Sequence, residues 1–183
     1  MKVAPRFALL MILGVALPVA AQAQSWQEFK LPGTDFVVST PGRPKVTEDV
    51  VDRDGVVAKT AQLKLGDVQY SITHTVYPRG YVSRGTAVID LQNAARNSLA
   101  AAVSGRVAGE RRFMVGDAHV SEFVINVPPD AEDPKPQTAK VRLYVRVNGA
   151  TVIVDQCVAL GPRGSEADPE ARRFLDSIRF TQG

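Results

Sequence analysis

The sequence predicts an α+β fold: a central antiparallel β-sheet of about six to seven strands with one long and one short helix packed on it. Three observations lead there. Alternating apolar and polar runs are punctuated by glycine-aspartate turns at Gly66-Asp67 and Gly116-Asp117. An Asn148-Gly149 dipeptide stands between two β-branched runs. An alanine-rich stretch, residues 84–104, interrupts the strands with helical spacing.

The first segment is read as an export signal rather than as part of the fold. Lys2 and Arg6 precede an apolar run from Phe7 to Ala20, and Ala21-Gln22-Ala23 places small residues where a signal peptidase reads, so cleavage is expected after Ala23. The run is too short for a membrane span of about 20 residues. Residues 24–183 are then expected to form a single domain, periplasmic or secreted. The whole chain carries a formal net charge of +3, of which Lys2 and Arg6 supply two. A near-neutral remainder gives little reason to expect nucleic-acid or membrane-surface binding.

From Trp26 to Val76 the chain reads as an antiparallel meander. Phe36 to Thr40 is followed by Pro41-Gly42-Arg43-Pro44, where two prolines forbid regular pairing. Lys45 to Val51, Val56 to Leu65 and Val68 to Val76 are joined by Asp52-Arg53-Asp54-Gly55 and Gly66-Asp67, both tight-turn chemistry. The long helix places Val88, Leu91, Ala95, Leu99 and Ala102 on one face, with Ser83 or Thr86 as cap and Gly105 at the left-handed C′ position. Strands Arg106 to Val115 and Ala118 to Val127 follow, then a proline-rich loop from Pro128 to Pro136. Taken as the two-residue loop of a hairpin, Asn148-Gly149 sets Val147 opposite Ala150, Val145 opposite Val152 and Arg142 opposite Asp155. The short helix starts at Pro169 after an Asp168 cap, and buries Phe174, Leu175 and Ile178 before an extended tail.

Three features together carry a resemblance. Trp26-x-x-Phe29 leads into Phe36 to Pro44, Arg142-x-Tyr144 lies on the central hairpin, and Phe174-Leu175-Asp176-Ser177-Ile178-Arg179-Phe180 ends the chain. In these the chain resembles the small exported bacterial domains of the Mog1/PsbP-like superfamily. The resemblance implies a central antiparallel sheet covered by helices and no inherited catalytic site. It brings no partner-binding motif that can be matched residue by residue, and fold alone is not function.

Chemistry is sparse. His74 and His119 both fall on the apolar parity of their strands, and Cys157 lies in the strand-like run from Thr151 to Val158. The plainer reading is two separate, hydrogen-bonded or edge histidines and a buried, inert thiol. The sharper one is a metal-binding or enzymatic site built from His74, His119 and Cys157, although their spacing matches no zinc signature. A single cysteine gives an exported chain no internal disulfide. No nucleophile elbow, Walker pattern or dinucleotide glycine motif is present. Asp52-Arg53-Asp54-Gly55 starts like a calcium loop but lacks the closing glutamate, so a β-turn is preferred. Asp130, Glu132 and Asp133 sit in the proline-rich loop, which is expected to be solvated. Arg106, Glu110, Arg111 and Arg112 read as the solvent face of a strand pair. Trp26, Phe29, Tyr77 and Tyr81 flank turns, either as recognition groups or as edge-of-core packing.

The expectation is therefore an exported domain that is not an enzyme, with no catalytic or metal residue assigned and no cofactor. It would bind an envelope protein partner or a small apolar ligand, or serve as a structural envelope component.

Overall fold

Strand β9, Gln137–Asn148, explains most of the architecture. Its odd residues Val141, Leu143 and Val145 are apolar, and its even residues are Arg142, Tyr144 and Arg146, yet all six are buried. A strand buried on both faces needs a layer on each side. In the computed structural model, which describes residues 25–47, 50–51, 54–78, 80, 87–129, 134–149 and 151–181, both layers are present. The signal segment, Tyr81, Ser83, Thr86 and the acidic residues 130–133 lie outside the described residues, but the N-cap of the long helix is Ala87, whose side chain makes no cap bond, and not the expected Ser83 or Thr86.

The central sheet is antiparallel throughout. It comprises β3 (Lys45–Val46), β5 (Val57–Leu65), β6 (Val68–Tyr77), β10 (Thr151–Pro162), β9, β8 (Ala118–Val127) and β7 (Arg106–Val115), in that spatial order, with β4 (Val50–Val51) also paired to β5. Two strands assigned to the meander by sequence go elsewhere. β1 (Gln27–Lys30) and β2 (Phe36–Thr40) join the C-terminal β11 (Arg179–Phe180) in a separate three-stranded sheet. Pro41 and Pro44 bracket the break between the two sheets, as missing N–H donors require.

This small sheet and α2 (Pro169–Asp176) cover one face of the central sheet. Phe36, Val38, Phe174 and Leu175 pack there on Tyr70, Ile72, Val120, Tyr144 and Cys157. Asp168 caps α2 as expected, its side chain accepting from the Glu170 N–H at 2.8 Å with Pro169 at the first helical position. On the opposite face α1 (Val88–Ala102) buries Ala100 and packs Leu91, Ala95 and Leu99 against Phe123, Val141, Leu143 and Val154. Ala102, expected on that stripe, is exposed. Residue 103 takes its place, because 3.6 residues per turn carries the contact line on from Leu99 to Val103.

Two glycines behave differently from expectation. At the end of α1 the left-handed position belongs to Ser104, with φ of 50°. Ser104 N–H donates to Ala101 O and Gly105 N–H to Ala100 O, the paired bonds of a Schellman ending. Gly105 is needed instead for space. A Cβ there would lie 2.5 Å from Ile125 Cγ2 and 2.9 Å from Asn126 O. We expect Gly105→Ala to lower stability by about 1–3 kcal/mol, the usual range for overpacking, readable as a urea-midpoint shift.

The β9–β10 hairpin is present, but its register is two residues away from the expected one. Asn148 pairs with Thr151, Val147 with Val152 and Val145 with Val154, so Asp155 faces Tyr144 and Arg142 faces Cys157. The turn therefore lies between Asn148 and Thr151, with Gly149 at φ of 60° directly after the strand. Gly66 and Gly116 hold the same place in their two-residue loops, each with positive φ. Among the described residues Ser104 is the only non-glycine with positive φ, so Asn148 stays in the strand. A two-residue shift leaves every side chain on its expected face while changing all its partners.

Candidate functional site

The corrected register builds the candidate site. On the face covered by the small sheet, Asp155 lies between His74 on β6 and Tyr144 on β9. Its side chain is 1% exposed, and a carboxylate so buried needs donors on both oxygens. It has them. His74 Nδ1 lies 2.6 Å from Oδ1, and Arg146 Nη2 donates to Oδ2 at 2.8 Å. Because the carboxylate only accepts, Nδ1 carries the proton in this pair.

The same guanidinium reaches across to the small sheet, where Nη1 and Nη2 both donate to the Asp35 carboxylate. Phe180 of β11 supports it from beneath, with the guanidinium carbon 4.0 Å from the ring centroid. Phe180 in turn meets Tyr144 and Phe36 edge-on, at 5.4 and 5.7 Å. Arg146 Nε is buried with no hydrogen-bond partner among the described residues, so the side chain is held at some cost. Asp35, His74 and Arg146 line a polar cleft of about 460 Å³ at the hairpin end of the sheet, with Gly33, Thr34, Asp117 and Asn148 on its walls.

Burial pushes the Asp35 carboxyl up, but hydrogen bonding and attraction from Arg146 outweigh it and the net shift is downward from 3.8. On the α1 face, burial likewise opposes ionisation of Glu110. The Ser121 hydroxyl at 2.6 Å, then Arg112 and Arg96, win and hold it below 4.5. A carboxyl depressed in the folded state contributes stability above its unfolded pKa and loses it as pH falls through the folded value. We expect stability to decline on acidification below about pH 4.5, and Glu110→Gln to flatten that decline in thermal melts between pH 3 and 6.

A second ionic group lies with Asp155 on the face covered by the small sheet. Glu122 accepts from Arg142 at 2.8 and 2.5 Å and from Arg111 at 3.1 Å. Arg142 also donates to Leu175 O and Asp176 Oδ1, both at 2.7 Å, so it closes the C-terminal end of α2. The Arg142–Asp155 pairing expected from sequence is thus replaced by two separate pairings, Arg142 with Glu122 and Arg146 with Asp155.

The three residues proposed for metal or enzymatic chemistry are not brought together. His74 faces the small sheet, whereas His119 is exposed on the α1 face, opposite Val145. Three strand spacings, about 14 Å, also separate β6 from β8, too far for one metal with bonds of about 2 Å to the two imidazoles. Cys157 is fully buried, and burial pushes its thiol well above the ordinary value, so it stays protonated. Among the described residues no group of three histidine, cysteine or acidic side chains could hold a metal ion. Trp26 and Phe29 pack at the margin of the core, Trp26 beneath Arg173, and Tyr77 packs under α1. Arg111 and Arg112 of the basic run are paired within the molecule.

The residues that sequence reasoning passed over are Asp35, Glu122 and Arg146. Parity held a usable signal: Arg142 and Arg146 share the face of Tyr144, and Asp155 that of Cys157. Charges on such a face need partners there.

No family model matches the chain, and no curated protein does. Among solved structures it is similar to LpqN of Mycobacterium tuberculosis, described as involved in cell envelope biogenesis. The TM-score is 0.50 and the identity 12%, over 78% of this chain and 87% of LpqN. A Bacteroides thetaiotaomicron protein aligns with a TM-score of 0.46 and 16% identity, over 87% of this chain and 49% of that one. The LpqN likeness supports a shared fold. Among the described residues no helix is long and apolar enough to cross a membrane.

Proposed function

We propose that this protein is an exported, Mog1/PsbP-like domain of the cell envelope that binds a partner or small ligand and does not catalyse. One observation carries the preference for recognition. The groups able to do acid-base work are bound to one another as a clamp between the two sheets, Asp35–Arg146–Asp155–His74. Beside them Thr34, the hydroxyl on the cleft wall, already donates to Leu31 O at 2.9 Å and accepts from Phe36 N–H at 3.1 Å. A histidine oriented by a carboxylate needs a free nucleophile or an activated water to become a catalyst, and none of the cleft's described residues offers a free hydroxyl, thiol or amine.

The envelope assignment draws support from the expected signal over residues 1–23 and from the likeness to LpqN. The test of non-catalysis compares the purified protein with His74→Gln on p-nitrophenyl acetate and p-nitrophenyl phosphate. This reading expects identical, background-level rates. A rate that depends on His74 overturns it.

A further inference from the structure

At the opposite end of the central sheet from the polar cleft, register brings four strand ends together. Arg106 opens β7 opposite Asn126, Val127 closes β8 opposite Gln137, and Gln137 meets Pro162 at the end of β10. Arg163 follows, fixed by its backbone N–H on Pro136 O at 3.1 Å. Between them lies a cavity of about 450 Å³, walled by Val127, Pro128, Pro129 and Pro136 with Arg106 and Arg163 at its margin.

Two properties coincide in this cavity. Its walls are largely apolar, because proline rings present carbon and supply no N–H. Its two guanidiniums have no hydrogen-bond or ion-pair partner among the described residues. Of the other described arginines, Arg96, Arg111, Arg112, Arg142, Arg146 and Arg179 are paired to carboxylates, while Arg43, Arg172 and Arg173 are not and do not line this cavity. A volume near the lower part of the usual 300–1,000 Å³ range suits one small molecule.

We propose that this cavity binds a single-chain amphiphile with a carboxylate head, its carboxylate on Arg106 and Arg163 and its tail on the proline-valine wall. Each alternative class leaves part of the surface unused. A cation meets two like charges, a bare anion gains no apolar contact, and a neutral apolar molecule leaves the guanidinium forks unfilled. A carboxylate suits those forks because it accepts two parallel N–H bonds. The inference rests on reading the protein as a binding domain and names a ligand class for it.

Titration calorimetry of residues 24–183 with decanoate, decanol and inorganic phosphate tests it. Decanoate is expected to bind saturably, decanol at least about tenfold more weakly, and phosphate not measurably, a tenfold ratio being 1.4 kcal/mol. The Arg106→Ala/Arg163→Ala variant should keep its melting temperature, bind decanol as before, and bind decanoate no better than decanol. Absence of decanoate binding overturns the proposal, as does decanoate binding that survives the double substitution. Phosphate binding as tight as that of decanoate overturns it too, by showing a simple anion site. A lowered melting temperature in the double variant with unchanged decanoate affinity would assign the arginines to internal pairing and also reject the site. None of these outcomes bears on export or on binding elsewhere, which are measured separately.

Discussion

Asp155→Ala is expected to lower the free energy of unfolding by about 3–5 kcal/mol, the cost of breaking a buried ion pair from one side. For a chain of this size that corresponds to a fall in melting temperature of about 6–20 °C. The reason is geometric. Asp155 is the acceptor shared by His74 and Arg146, and its removal leaves a guanidinium only 10% exposed with the partly exposed Asp35 as its one remaining carboxylate among the described residues. Asp35→Asn removes a carboxylate from the same arginine, but one that is 36% exposed, so its effect should stay within about 1 kcal/mol. The contrast matters more than either value. Equal losses in a thermal melt would mean that the clamp acts through charge alone, independently of burial.

Arg142→Ala is expected to cost a similar amount, about 3–5 kcal/mol, but with a different signature. Its guanidinium satisfies Glu122 and the end of α2 at once, through Leu175 O and Asp176. Losing it leaves Glu122, 9% exposed, with Arg111 and a Lys140 ammonium 3.9 Å away, and it releases the helix terminus. Amide exchange should therefore quicken first in Pro169–Asp176 and only later in the sheet. Arg142→Lys should not restore protection, because an ammonium cannot span a carboxylate and a helix-end carbonyl as the planar fork does. Uniform loss of protection across all elements would contradict the local role.

Most of the fold could be read from residue patterns. Period-2 alternation located the long strands, the alanine-rich segment located α1, and Asp168-Pro169 located the start of α2. What was missed has physical causes. The second sheet depends on β2, still paired to β1, taking β11 as its other neighbour, about 140 residues away; local pattern carries no trace of such a partner. The hairpin register was misplaced because Asn-Gly was given the loop by dipeptide preference. Gly66 and Gly116 show that in this chain glycine takes the first loop position. That single shift moved Asp155 from Arg142 to the His74–Arg146 pair, and so decided which residues form the candidate site.

The histidines illustrate the same limit. Strand parity placed both on apolar faces, but parity within a strand does not say which of the two faces of the sheet it names. Only the pairing β6–β10–β9–β8 shows that His74 and His119 point in opposite directions. Burial of Cys157, by contrast, follows from composition and neighbours alone.

The central claim, an exported domain that carries a ligand or partner, is tested most directly by mass. The full chain is expressed in a Gram-negative host, released from the periplasm by osmotic shock, and weighed under native and then denaturing conditions. The account predicts a denatured mass equal to residues 24–183 and a larger native mass, the excess lost on unfolding. An unprocessed chain confined to the cytoplasm, or identical native and denatured masses, would contradict it.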